Sequence, residues 1–458
     1  MLGSGHSKHS LSPNRCAHMK KFHLERTNEA LVGHGGLAVV GQLLRLSCID
    51  DTCLHRESPN TIIKDHDILR SICGLLAQGK TDFDHIRQFS DDEFFPLALG
   101  LKKVPSSETL RQRFEKIAQD PKVMEAIKVC SRLVWKNNNM KPEITSVGER
   151  RWVRLDSDVS IHDNGNTKKE GVERAYDGTF GFAPFYSYLG GGYLISAVLR
   201  PGSAHSLCEG TLPVIRQAVE DAYALTEERI LSVFDCGFDG AETIKLLHGL
   251  QKKSDFILKH NLRRESVDHW LKTAKSLGTP MSPRPGKTVW RGSTTRMVKG
   301  VGPVRMVFEV TERMEKKGQM LLKPDVTVFV VWTSLDLPED DVLRLYRERG
   351  TSEQYHAEFK SEMDMERFPS GKFQVNELFL QLGVLVYNML RIMGGDLVVT
   401  NNLGLKPATR RRLRTVIQGL VLMSGKLVQH ARRTWLKVSC PDGWYETFAG
   451  LYVRLQQT

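Results

Sequence analysis

From residue 151 the chain alternates short apolar strands with amphipathic helices, and two of the strands end in acids. RWVRLDSDVS reads as a strand running into Asp156 and Asp158. FAPFYSYLG and GGYLISAVLRP are two more strands, split by the glycines at 190–192. TLPVIRQAVEDAYAL is an amphipathic helix, RILSVFDCGFD a strand that again ends in acids, GAETIKLLHGLQKK a helix and DFILKHNL a strand. Three strands followed by alternating helix and strand demand an α/β sheet with a meander on one side. In such sheets chemistry collects at the carboxyl ends of strands, where these acids stand.

The rest of the chain reads around that core. Residues 1–20 are small, polar and basic, as in a disordered lead-in. Residues 21–150 read as a helical N-terminal domain for DNA binding or assembly. GGLAVVGQLLRLSCI and DHDILRSICGLLAQG have helical periodicity, and PSSETLRQRFEKIAQD opens on capping residues. Residues 151–260 form the first part of the core, 261–324 a mainly β insertion, 325–400 the second part of the core and 401–458 a basic C-terminal region. The net charge of +12 suits a polyanion, because Lys and Arg release counterions from phosphates. The eight cysteines are scattered without a C-x-x-C pair, which argues against a zinc site and for reduced thiols in a cytoplasmic protein. The N-terminus lacks an apolar signal region, and no run of 18 apolar residues free of charge suggests a membrane span.

Three motifs offer chemistry. Asp156 and Asp158 lie two apart on a strand and share a face. Asp235 directly follows ILSVF, with Gly237 supplying a turn, and Asp239 reads as the N-cap of the next helix. In LYRERGTSEQYHAEFK, Tyr346, Arg349, Glu353 and Lys360 fall within roughly a 60° arc of one helix face. A carboxylate for a metal, two cations for phosphates and a phenol for a backbone oxygen suit phosphoryl transfer. An ordinary solvated face would offer Glu–Lys pairs four apart, and Gly350, Thr351 and Ser352 are able to break this helix. Arg410, Arg411, Arg412 and Arg414, with Lys426, His430, Arg432 and Arg433, are further candidates for phosphate contact.

The spacing Tyr346-x2-Arg349-x3-Glu353-x6-Lys360 resembles the Tyr-Arg-Glu-Lys (YREK) signature of a group of DDE-type insertion-sequence transposases. VVWTSL before it, NELFLQLGVLVYNMLR after it, the DCGF and LDSDVS segments, the helical start and the Arg-rich end extend the likeness over nearly the whole chain. The chain is most similar to the thirteen-eighty family of insertion sequences.

The resemblance implies a ribonuclease H-like core, a mixed sheet flanked by helices, interrupted by the β insertion. It implies catalytic, metal-binding acids at Asp235, Glu353 and either Asp158 or Asp156, with Asp158 preferred because Ser160 follows it as Ser or Thr does in the group. It further implies two Mg2+ ions, replaceable by Mn2+, and roles for Tyr346, Arg349 and Lys360 in holding DNA. Cleavage at the element's ends followed by joining of the 3′-hydroxyl ends to target DNA is the implied reaction, in a homodimer on DNA in the bacterial cytoplasm near the nucleoid. In relatives the insertion can carry an aromatic that traps a flipped base, for which Trp290 and Trp332 are candidates. A nuclease of the same fold that cuts without joining, or a non-catalytic DNA-binding descendant, would retain the same outline.

Overall fold

The computed structural model describes residues 22–52, 60–316, 319–400 and 403–458, so the expected lead-in lies outside it. Among the described residues the first elements are a short strand, β1 (Leu31–Val32), and the α-helices α1 (Leu37–Leu46), α2 (Asp65–Leu76), α3 (Phe94–Leu99), α4 (Ser107–Ile117) and α5 (Pro121–Asn137). Their starts follow the sequence. Ser106 accepts the Thr109 N–H at 3.2 Å, and Asp120 caps α5 just before Pro121. Gly41 lets α1 meet α3 closely, since a Cβ there would lie 1.9 Å from the Ala98 carbonyl oxygen.

A hairpin of β2 (Ile144–Val147) and β3 (Arg150–Val159) begins the sheet region. Next come β4 (His162–Asp163), β5 (Glu173–Arg174) and β6 (Phe180–Phe182), which form a small sheet of their own. Then follow β7 (Phe185–Leu189), β8 (Tyr193–Val198), α6 (Thr211–Tyr223), β9 (Arg229–Phe234), α7 (Ala241–Gly249) and β10 (Ser254–Lys259). β3 runs parallel to β9, and β9 parallel to β10, while β7 and β8 continue antiparallel on the other side of β3. The two parallel pairs need crossovers, which α6 and α7 supply.

The β-rich stretch extends this sheet. After α8 (Val267–Leu277) come β11 (Thr279–Arg284), β12 (Lys287–Val298), β13 (Gly302–Lys316) and β14 (Gln319–Thr333). β14 pairs antiparallel with β10, Ile257 opposite Thr333, so one ten-stranded sheet runs β11-β12-β13-β14-β10-β9-β3-β7-β8, with β2 beside β3. A single strand, β14, thus crosses the expected boundary between insertion and core. It covers the edge that β10 would otherwise leave unpaired.

The remaining elements are α9 (Glu339–Arg347), α10 (Ser352–Ala357), α11 (Phe373–Val399), α12 (Leu413–Val416), β15 (Gly425–His430), β16 (Arg433–Val438) and α13 (Asp442–Gln457). By length and composition α11 is able to cross a membrane, which the sequence reading had not credited to any segment, yet 78% of its apolar window is buried inside the protein. Its polar residues explain its place against β8. Asn388 accepts the Leu194 N–H at 3.0 Å and donates to the Leu194 carbonyl at 2.7 Å, and Gln381 donates to the Ala197 carbonyl at 2.7 Å. Side chains seven residues apart on the helix thereby bind three backbone groups of the sheet's last strand.

Candidate active site

The register of β3 against β9 organises the site. Ser157 is level with Phe234, so the next step brings Asp158 level with Asp235, at the carboxyl ends of adjacent parallel strands about 4.8 Å apart. Residues level on neighbouring strands point to the same side of the sheet. Asp235 accepts the Gly237 N–H at 2.9 Å, which fixes one carboxylate oxygen. Burial, and then the neighbouring Asp158 carboxylate, hold the Asp235 carboxyl above its ordinary range, while Arg349 works against that shift.

Asp156 shares a face with Asp158 but not its situation. It is buried and bound by Arg154, whose Nε and Nη2 donate to the two carboxylate oxygens at 2.8 and 3.0 Å. Burial pushes its pKa up, and Arg154 opposes this. Asp156 is also level with Val233, one full pleat below Asp235. Of the two acids, Asp158 is the one that stands beside Asp235.

The segment bearing Glu353 is helical but not one uniform helix. α9 passes through a 3-10 turn at Glu348–Thr351 into α10, then through a π turn at Glu358–Glu362. Gly350 therefore tightens the path without breaking it. Tyr346 is buried against Phe329, ring centres 5.2 Å apart, and burial keeps its phenol protonated well above the ordinary range. Arg349 donates to Asp158 at 2.5 Å. Burial works against the Arg349 charge, but Asp158, Tyr346, Asp156 and Asp235 together more than offset it. Lys360 donates to the Ile161 carbonyl at 2.6 Å and pairs with Glu366 at 3.1 Å, so it grips the loop after β3.

Glu353 is exposed. Its neighbours on the helix face locate it: Arg349, four residues before, binds Asp158, and His356, three residues after, has Nε2 3.9 Å from the same carboxylate. Among the described residues no three of His, Cys, Asp and Glu converge closely enough to hold a metal ion; Arg349 sits among the acids instead. The donor set nevertheless fits a hard divalent ion. The Asp158 carboxylate raises the cost of ionising Asp235, a cation relieves that cost, and a third carboxylate rides on the same helical segment as Arg349.

His356 was not singled out from the sequence, although it lies three residues after Glu353 in the same stripe. It is largely buried, neither ring nitrogen makes a hydrogen bond among the described residues, and its ring meets Tyr188 edge-on with centres 5.0 Å apart. Burial, then Arg349 and Lys360, push its pKa down to about 3, so the imidazole is neutral.

Several other expectations land elsewhere. Asp239 does not cap α7, whose N-cap Gly240 makes no side-chain bond. Its carboxylate instead lies 2.7 Å from His260 Nδ1 and accepts the Asn261 and Trp332 N–H groups at 2.7 and 3.0 Å. Trp332 and Trp290 are both buried, so neither offers a face to a displaced base in this structure. Arg410 is bound to the buried Glu358 at 2.7 Å and lies over the Tyr355 ring. Arg411 donates to the Leu397 and Lys406 carbonyls, Arg412 pairs with Glu362, and the Arg414 side chain is exposed. Much of the arginine cluster thus ties the C-terminal region to the Glu353-bearing helix, beside a cleft of about 550 Å³ that also includes Asp156 and Arg391.

Comparison with known proteins gives three results. No curated protein matches the sequence. A solved piggyBac transposase synaptic complex with hairpin DNA aligns over 94% of this chain and 85% of that one, at 10% identity and a TM-score of 0.40. The family model for the transposase DDE domain, group 1, matches residues 15–458. With a match over almost the whole chain, the protein belongs to the group 1 DDE transposase family.

Proposed function

We propose that this protein is a DNA transposase that cuts DNA at the ends of an insertion sequence and joins the freed 3′-hydroxyl ends to target DNA. The observation that carries the reading is the level pairing of Asp158 with Asp235, faced by the helix of Arg349, Glu353 and His356. Three strands followed by alternating helices and strands are consistent with a ribonuclease H-like core. The YREK spacing supports placing the chain beside the thirteen-eighty insertion sequences.

In this mechanism Asp158, Asp235 and Glu353 would hold divalent ions, Mg2+ or Mn2+. The ions would supply Lewis acidity to the attacking and leaving oxygens of an in-line displacement. Asp158 and Asp235 provide the fixed side of the site, because both are anchored on strands. Arg349 leaves Asp158 for a DNA phosphate, exchanging one anionic partner for another. Tyr346 stays protonated and donates to a backbone oxygen; it is not a nucleophile. Lys360 holds the loop after β3 and a phosphate beside it. Two ends must be brought together, so the active form is a homodimer on DNA.

The test uses a DNA fragment carrying the element's own end, a target plasmid and Mg2+ or Mn2+. Wild type should cut and join, and Glu353→Gln should bind but do neither. Cutting without joined product would make the protein a nuclease, and full activity in the variant would remove Glu353 from the site.

A further inference from the structure

The hairpin of β15 and β16 has two unlike faces. Leu427 and Leu436 are opposite each other on the inner face, where Leu427 is buried and Leu436 and Val438 lie near Gly35. The outer face carries three cross-strand pairs: Lys426 with Lys437, Val428 with Trp435, and His430 with Arg433. Two of the three set like or potentially like charges directly opposite, an arrangement that destabilises a hairpin. Lys426 reaches Glu29 at 2.5 Å, but residues 424–439 contain no acid, and Arg432, Arg433 and Lys437 are exposed. Between the cations Trp435 remains 51% exposed.

The turn adds a second, independent observation. Ala431 and Arg432 both have left-handed backbone, φ 51° and 60°, in a two-residue connection that favours Asn and Gly. A side chain at each position costs stability. The sequence therefore retains an arginine at the tip against the backbone's own preference. A polyanion would resolve the cation ladder; β1 pairs with β15 only at Gly425 and Lys426, and beyond them the hairpin is a two-stranded ribbon with the width to lie in the major groove of a duplex.

We propose that the outer face of this hairpin is a duplex-DNA contact built from Lys426, Arg432, Arg433, Trp435 and Lys437, none of which lines the carboxylate site. The proposal rests on the transposase reading, and it adds a surface that grips DNA by its phosphates with Trp435 against the sugar or base edge. Binding of full-length protein to a random-sequence duplex is measured by anisotropy over a salt series, for wild type and for Arg432→Gly/Lys437→Gln. Each lost phosphate contact removes about 0.9 from the slope of log K against log salt, so the double variant should lose about 2. Its thermal midpoint should not fall, because Gly fits the left-handed position. Trp435 emission should change on adding duplex, and that change should vanish in Trp435→Phe.

An unchanged slope in the double variant, with wild type binding duplex normally, overturns the hairpin contact and leaves the transposase reading standing. Loss of single-strand binding alone also overturns it. Wild type that binds no duplex at any salt overturns both.

Discussion

At the scale of single residues, two acids separated by one serine have different fates. Arg154 closes on Asp156 in a buried bidentate pair, while Asp158 faces Arg349 at the strand's end. Asp156→Asn should cost about 1–3 kcal/mol, because it removes the carboxylate that Arg154 binds with two nitrogens and leaves that guanidinium only the Leu345 carbonyl and Glu348, and denaturant melts would show it. Asp158→Asn weakens the pair with Arg349 but relieves Asp235 of a like charge, so the melt should move by less than the loss of a buried pair implies, while DNA cleavage falls by on the order of a thousandfold or more, as when one member of a catalytic set is removed. The reverse pattern would exchange their roles. Sequence alone left this choice open because strand period puts both acids on one face; only the register with β9 tells them apart. His356 escaped notice for a related reason. A lone histidine in a charged helix has no signature until the strand opposite is known.

At the scale of elements, the Glu353 helix is seated by its neighbours. Gly192 has φ 83°, and a Cβ there would meet the Tyr355 ring at 2.5 Å. Gly192→Ala should therefore strain the β7–β8 turn by about 1–3 kcal/mol and lower cleavage by displacing α10, read by melts and cleavage in parallel. Loss of stability with undiminished cleavage would uncouple the turn from the site. On α11, Asn388→Leu leaves the Leu194 N–H and carbonyl without partners, which should cost about 1–3 kcal/mol for each. The strand–helix alternation from 151 to 260 was legible because its periods and acid ends were local. The joining of β14 to β10 was not, since nothing within residues 261–324 names a distant strand as partner. The arginine cluster was misleading as composition, because Glu358 and Glu362, which neutralise part of it, lie some fifty residues away in sequence.

At the scale of the whole molecule, a polar network joins the catalytic sheet to its β extension. His260 on the loop after β10 touches Asp239 and Glu265, and Glu265 also binds Arg296 of β12 and Trp270 of α8. Burial opposes charge on His260, but its two carboxylate partners raise its pKa above the ordinary value. Burial would raise Glu265, yet Arg296, His260 and Trp270 pull it down to about 2. The signs give a window. The Glu265 contribution is complete above its unfolded value near 4.5 and is lost as pH falls toward about 2. The His260 contribution is complete below about 6.5 and is lost as pH rises through the higher folded value. Denaturant midpoints should therefore peak between those limits, and Glu265→Gln should flatten the acid side; a midpoint that keeps rising above pH 8 would contradict the network's role.

The sealing of β8 by α11 also decides how two copies are able to meet. On the sheet's last strand Asn388 and Gln381 already occupy the Leu194 N–H and the Leu194 and Ala197 carbonyls, so a second chain would have to displace them to extend it there. At the far end β11 contributes Pro280 and Pro283, two positions without an N–H, so that border is a poor template as well. Neither border of the large sheet is thus a ready template for a ladder of strands shared by two copies. Two copies meeting at this sheet would do so through side chains or through a common DNA, and in the second case partnership would be conditional on what the protein is holding rather than on its concentration alone.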